Sequence, residues 1–278
     1  MANLLQIMPD YAKVNGASAC SFRLPGANRR RNRAIAWATE AGPDRSGSML
    51  APRNDIDHPL AIEFAAKIRD PAFPCVGAKS ALGKGRMRFV VGRDIRSAWD
   101  DLAILPTLLN LAHGYRQQPD LFQSLVVLFE GAGEMLDEAA FEACLWDRLQ
   151  SLTDKDVWLG QKADPRVSHD PDDPHFSLSF GGEAFFVVGL HPAASRPARR
   201  FDRPALVFNL HDQFEQLRTQ GNYEKLRSAI LSRDQILAGS INPMLARHGT
   251  ISEARQYSGR AVEPDWVCPF ARPGASPA

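Results

Sequence analysis

The sequence predicts an α+β fold: one mixed β-sheet covered by helices, with an irregular C-terminal segment lining the site. Short apolar runs of strand length alternate with longer stretches of helical periodicity, which places helices against a sheet. Gly181-Gly182 separates two such runs as a hairpin turn does. Gly239–Phe270 has few long apolar runs yet is rich in Trp, Tyr, Met and Phe, and such irregular segments line something rather than hang free.

Residues 1–57 read as an N-terminal arm, partly flexible. It holds a basic polar stretch (Gly26–Arg33), a short helix at Ala34–Glu40 and a Gly/Pro/Ser/Asp-rich run from Ala41 to Asn54. Residues 58–270 form a single domain, and 271–278 form a disordered tail. Within the domain, His58–Arg69 carries Leu60, Ile62, Phe64, Ala65 and Ile68 at helical spacing. Met87–Gly92 reads as a buried strand. Ala98–Tyr115 is an amphipathic helix bent at Pro106. Ser124–Glu130 is a second strand, and Asp137–Leu152 a helix with Phe141, Leu145, Leu149 and Leu152 on one face. Phe176–Phe180, Ala184–Leu190 and Ala205–Leu210 are strands, followed by helices at Asp212–Gln220 and Tyr223–Ala238.

The chain has 278 residues, with 33 Lys+Arg against 32 Asp+Glu and a net charge of +1. That balance excludes a globally polybasic nucleic-acid or membrane binder. Four cysteines without a CxxC pair argue against a zinc ribbon and a disulfide scaffold. No apolar run approaches the roughly 20 residues that span a bilayer. The N-terminus lacks the pattern of a secretory signal, so the expected compartment is the cytoplasm.

Generic motifs are absent. Gly131-Ala132-Gly133 lacks the third glycine of a dinucleotide fingerprint, and Gly83-Lys84-Gly85-Arg86 lacks Walker spacing. The chemistry concentrates in Ala184–Arg218, where two apolar strands end on His191 and His211 with Arg196, Arg199, Arg200 and Arg203 between them. Imidazoles suit a metal, and guanidiniums suit carboxylates or phosphates. Haem satisfies both, with iron for an imidazole and propionates for arginines. His191, locked by Pro192 and close to the arginines, ranks first as the iron ligand, with Arg196, Arg199 and Arg200 as propionate partners. His211 opens the next helix, whose dipole disfavours imidazolium; it ranks second and is a candidate catalytic residue on the distal side. Cys268, in Cys-Pro, is a third possible ligand as thiolate. Cys75 is a weaker one; Cys20 and Cys144 are assigned to packing. A cationic substrate needs carboxylates, and Asp212, Glu215 and Glu253 lie near these motifs. His169 and His175 bracket three aspartates in a proline-containing stretch that reads as a surface turn, and His113 lies late in a helix.

At these residues the sequence resembles the YqcI/YcgG family. The resemblance runs from about Pro59 to Phe270 through FPC at Cys75, FSLSFGGEAFFVVGLHP, SRPARRF, LVFNLHDQFEQLR, INPMLARHGTISEARQYSGR and WVCPF. It implies a haem-dependent monooxygenase that N-hydroxylates a small amine or guanidine, with L-arginine to N-omega-hydroxy-L-arginine as the best single guess. It implies O2 or peroxide as oxidant. With no flavin or nicotinamide motif, an external electron donor is expected. The same residues would serve a non-enzymatic haem or gas-binding protein, and the Arg196–Arg203 cluster alone would serve a phosphate-binding or phosphotransfer enzyme.

Overall fold

The computed structural model describes residues 51–131, 136–242, 244 and 249–271. The expected helix at Ala34–Glu40, the basic stretch, Cys20, Ala132-Gly133 and the tail from residue 272 lie outside the described residues.

Two helices come first: α1 (Pro59–Arg69) and α2 (Val76–Gly83). His58 caps α1, its Nδ1 accepting from Leu60 N at 3.2 Å, and Pro59 supplies a pre-set first residue. The buried face is Ala61, Phe64, Ala65 and Ile68; Ile62, expected on that face, points to solvent. The sequence reading missed α2. It is short, contains Gly77, and is capped by a thiol, Cys75 Sγ accepting from Ala78 N.

Strand β1 (Met87–Gly92) leads through a 3-10 turn into α3 (Asp101–Gln117). Pro106 sits inside α3 without ending it. Strand β2 (Ser124–Phe129) precedes α4 (Glu138–Trp158). Asp137 caps α4, its carboxylate accepting from Ala140 N at 2.7 Å. The helix runs past the expected end at Leu152, because the polar residues Thr153 and Asp156 are buried rather than solvated. Asp101 ties α3 to α4, lying 3.2 Å from Arg148 and 2.8 Å from Lys155.

Strands β3 (Leu178–Phe180) and β4 (Glu183–Leu190) form a hairpin, followed by β5 (Ala205–Leu210). Its turn requires glycine: Gly181 and Gly182 have φ of 58° and 83°. Helices α5 (Asp212–Thr219), α6 (Tyr223–Ala238) and the short α7 (Ala254–Tyr257) complete the described elements.

The sheet order is β1-β2-β5-β4-β3. β1 and β2 are parallel, and every other pair is antiparallel, so the sheet is mixed as expected. Both faces are covered. Leu125, Val127, Phe129, Val187, Leu206 and Phe208 meet α3 and α4 on one side. Val126, Leu128, Leu190 and Ala205 join the buried residues of α1 and Phe201 on the other. The alternation within β2 and β5 follows the strand period of two. The outer edge of β1 is closed by residues 54–55: Phe89 N donates to Asn54 Oδ1 at 3.0 Å and Val91 N to Asp55 Oδ2 at 2.8 Å.

The C-terminal segment is irregular but fastened. Arg260 Nε and Ser258 Oγ donate to the two oxygens of Glu142 on α4, at 2.9 and 3.0 Å. Phe270 packs against Trp146 and Phe176. No helix among the described residues is long and apolar enough to cross a membrane.

Candidate functional site

Both histidines end strands, but the register separates them. Phe185 opposes Leu210 and Leu190 opposes Ala205, so β4 leaves the pair where β5 enters it. At about 3.4 Å per residue, His191 and His211 lie more than roughly 20 Å apart along the strands. A single haem with His191 on one side and His211 on the other is therefore excluded, which corrects the expectation of a distal His211.

His191 is 1% exposed and its ring stacks on Phe141, with centroids 4.2 Å apart. Burial pulls its pKa below the usual value, opposed by the nearby Glu138 carboxylate. Its Nδ1 has no hydrogen-bond partner among the described residues.

The arginines beside His191 are turned to the protein itself. Arg196 pairs with Asp234 of α6 and donates to Ser240 Oγ at 2.9 Å. Arg199 donates to the carbonyls of Gly189, Tyr257 and Gln256, and burial lowers its pKa to about 10. Arg200 donates to the carbonyls of Ala194 and Ser195. These contacts close the β4–β5 loop onto α6 and the C-terminal segment. The expected propionate or phosphate role for these three groups does not fit that arrangement.

The other end of the pair is open. A cleft of about 260 Å³ is lined by Asp164, Arg166, His175, His211, Asp212 and Glu215. That lies just under the roughly 300–1,000 Å³ of small-molecule pockets. It has room for a small amine or guanidine, and a haem bound at His211 would have to widen it. His211 is fixed by its backbone, its N–H donating to Ala184 O at 2.8 Å. Its Nε2 lies 3.5 Å from Glu253 Oε1, and both side chains are buried. An imidazole facing a carboxylate is how ligating histidines are held, so this pair fits the imidazole half of a haem site. The structure thus brings together His211, Glu253, Asp212 and Glu215 and leaves His191 apart.

Sequence reasoning missed Asp164, Arg166 and Glu183. Arg166 forks onto Asp164, at 2.8 and 2.7 Å, and reaches Glu183 at 2.7 Å and Asp212 at 2.9 Å. Burial alone would raise the Asp164 carboxyl; the Arg166 fork and backbone donors outweigh it and hold it below its usual range. Glu183 stays raised, because burial dominates there. Burial, together with Asp212 accepting its hydrogen bond, pushes the Tyr115 phenol far up. The signal was Asp164-Pro165-Arg166, opposite charges two residues apart, hidden in a loop without periodicity. His175, read as part of a surface turn, lines the cleft.

Cys268 is buried in the core and does not line the cleft, and burial raises its thiol to about 12. Cys75 is a helix cap, and burial raises its thiol also.

A sequence profile of the YqcI/YcgG family matches residues 64–271. A Bacillus subtilis (strain 168) protein described as "Uncharacterized protein YqcI" is 26% identical over 218 residues, covering 73% of this chain and 82% of its own. No solved structure matches.

Proposed function

Because the chain belongs to the YqcI/YcgG family, we propose that it is a haem-dependent N-oxygenase acting on a small amine or guanidine, with L-arginine the first substrate to test. The observation that supports this reading is the buried His211–Glu253 pair beside a cleft ringed by Asp164, Asp212 and Glu215. His211 is the residue that would hold the haem iron, and Glu253 would orient its ring. Haem, when bound, supplies the activation of O2 or peroxide that nitrogen hydroxylation requires. The chain's own residues do the rest. Two guanidiniums, Arg166 and Arg116, face the three carboxylates of Asp164, Glu183 and Asp212, which leaves this end of the sheet with one surplus negative charge. That surplus attracts a cationic nitrogen compound. Asp212 and Glu215, on the first turn of α5, are placed to orient it.

The test is an absorption spectrum of haem-supplemented protein, oxidised, reduced and reduced with carbon monoxide, followed by an amine panel under O2 with reductant and under peroxide. The expected results are a Soret band with imidazole character, lost in His211→Ala and kept in His191→Ala, and a hydroxylated product. No Soret band and no saturable hemin binding would overturn the reading. A band that disappears in His191→Ala but persists in His211→Ala would move the site to the other end of the sheet.

A further inference from the structure

We propose that Arg166 is the positioning residue of the cleft: its guanidinium sets His211 against Glu253 through the carboxylates and backbone around them. The inference rests on His211 being the working residue there. It goes beyond that reading by naming what holds His211 in place.

The argument is a closed ring of contacts. Asp164 Oδ2, held by Arg166 Nη2, also accepts from Ala184 N at 3.0 Å. Ala184 O accepts from His211 N at 2.8 Å. Asp212, the next residue in the chain, returns the ring to Arg166 Nη1 at 2.9 Å. Glu183, the neighbour of Ala184 on the other side, is held by Arg166 Nη2 at 2.7 Å. His211 is thus a link in a loop of polar contacts whose one shared donor is Arg166. The other oxygen of Asp212 accepts from Tyr115 Oη at 2.8 Å and Gln216 Nε2 at 2.9 Å. The carboxylate is therefore fixed at both oxygens, and α5 begins in one orientation.

A guanidinium is the group this ring requires. Its planar fork serves three carboxylates at once, which a lysine ammonium cannot reproduce in the same geometry. The Arg166 side chain is also 51% exposed, so the place it fills opens to solvent and can be refilled from outside. A half-buried arginine such as Arg199, whose guanidinium is held by three backbone carbonyls, offers no such route.

The experiment uses Arg166→Lys and Arg166→Ala in the full chain. The first readout is the ring resonances of His211 in histidine-labelled protein, assigned by their absence in His211→Ala. The second is kcat against KM for whichever amine the wild type turns over. Both variants are expected to shift the His211 resonances and to lower kcat by roughly tenfold to a hundredfold, the scale of a small misplacement at a reacting centre, with a smaller change in KM. Millimolar guanidinium chloride is expected to return Arg166→Ala toward wild-type resonances, whereas urea, of the same shape but uncharged, is not. His211 resonances unmoved in both variants would overturn the proposal, as would equal recovery with urea. If Arg166→Ala does not fold, Arg166→Lys decides alone: shifted resonances support the proposal and wild-type resonances refute it. A wild type that turns over no amine refutes the proposed function, while the resonances still decide the role of Arg166.

Discussion

Asp156→Asn is expected to stabilise the fold at neutral and alkaline pH and to leave it unchanged in acid. Asp156 lies on α4, 3% exposed, and accepts one hydrogen bond, from Gly181 N at 3.0 Å in the hairpin turn. Arg116 grips the same residue from the other side through Gly181 O. Burial raises the Asp156 carboxyl from 3.8 to about 7, and the single backbone donor offsets this only in part. The direction follows from linkage. Well below pH 3.8 the carboxyl is protonated in both folded and unfolded chains, and its protonation contributes no pH dependence. As pH rises, the unfolded chain ionises first while the folded chain holds its proton, so stability falls until about pH 7 and then levels off. The gap is roughly three pH units at about 1.36 kcal/mol each, which gives a ceiling of about 4 kcal/mol. Asparagine keeps an oxygen for Gly181 N and cannot ionise. Urea denaturation of both proteins between about pH 4 and pH 8 should therefore show a difference that grows with pH, reaching at least about 1 kcal/mol. A difference that stays flat across that range, whatever its size, would refute the argument that an ionisable buried carboxyl is held here.

Two further substitutions test the packing and the ligand. Gly189→Ala would place a methyl 2.7 Å from Phe141 Cε1 and 2.8 Å from Leu145 Cδ1, where β4 crosses α4. Overpacking of this kind costs about 1–3 kcal/mol, and a urea midpoint equivalent to less than about 0.5 kcal/mol would show that α4 can yield. Cys268→Ala is expected to leave any ferrous–carbonyl band in place, because Cys268 packs in the core and does not line the cleft at His211. A thiolate-type band lost in that variant would return Cys268 to the iron.

Much of the fold was legible because its signals are local. Met87–Gly92 and Ala205–Leu210 are apolar runs bounded by turn residues, and both strands have the bounds read from the sequence. Gly181-Gly182 declared the hairpin because few other residues adopt its backbone. Two helix errors have a shared origin. In α2 the pattern is broken by Gly77 and started by a thiol cap, and at the end of α4 Thr153 and Asp156 look like solvent residues but are buried. Local pattern does not reveal which polar groups a neighbouring element will cover. The site was half legible. His211, Asp212, Glu215 and Glu253 were named from residue type and position, yet Arg166 was not, since its three carboxylates come from loop, strand and helix.

The same gap explains the misplaced pairing of His191 with His211. A strand that ends on histidine, repeated in the next strand, reads as two copies of one feature. Antiparallel pairing sends the two copies to opposite ends of the sheet, and each end then acquires its own chemistry. At His191 the chain turns through arginines that satisfy backbone carbonyls and Asp234, which fastens the loop to α6 and the C-terminal segment. At His211 the chain enters a helix whose first turn carries Asp212 and Glu215, facing Asp164 and Arg166 across a cleft. The C-terminal segment serves both ends. Gln256 and Tyr257 give their carbonyls to Arg199, and Glu253, a few residues earlier, gives its carboxylate to His211. The short helix α7 therefore lies between the lock at one end and the imidazole at the other.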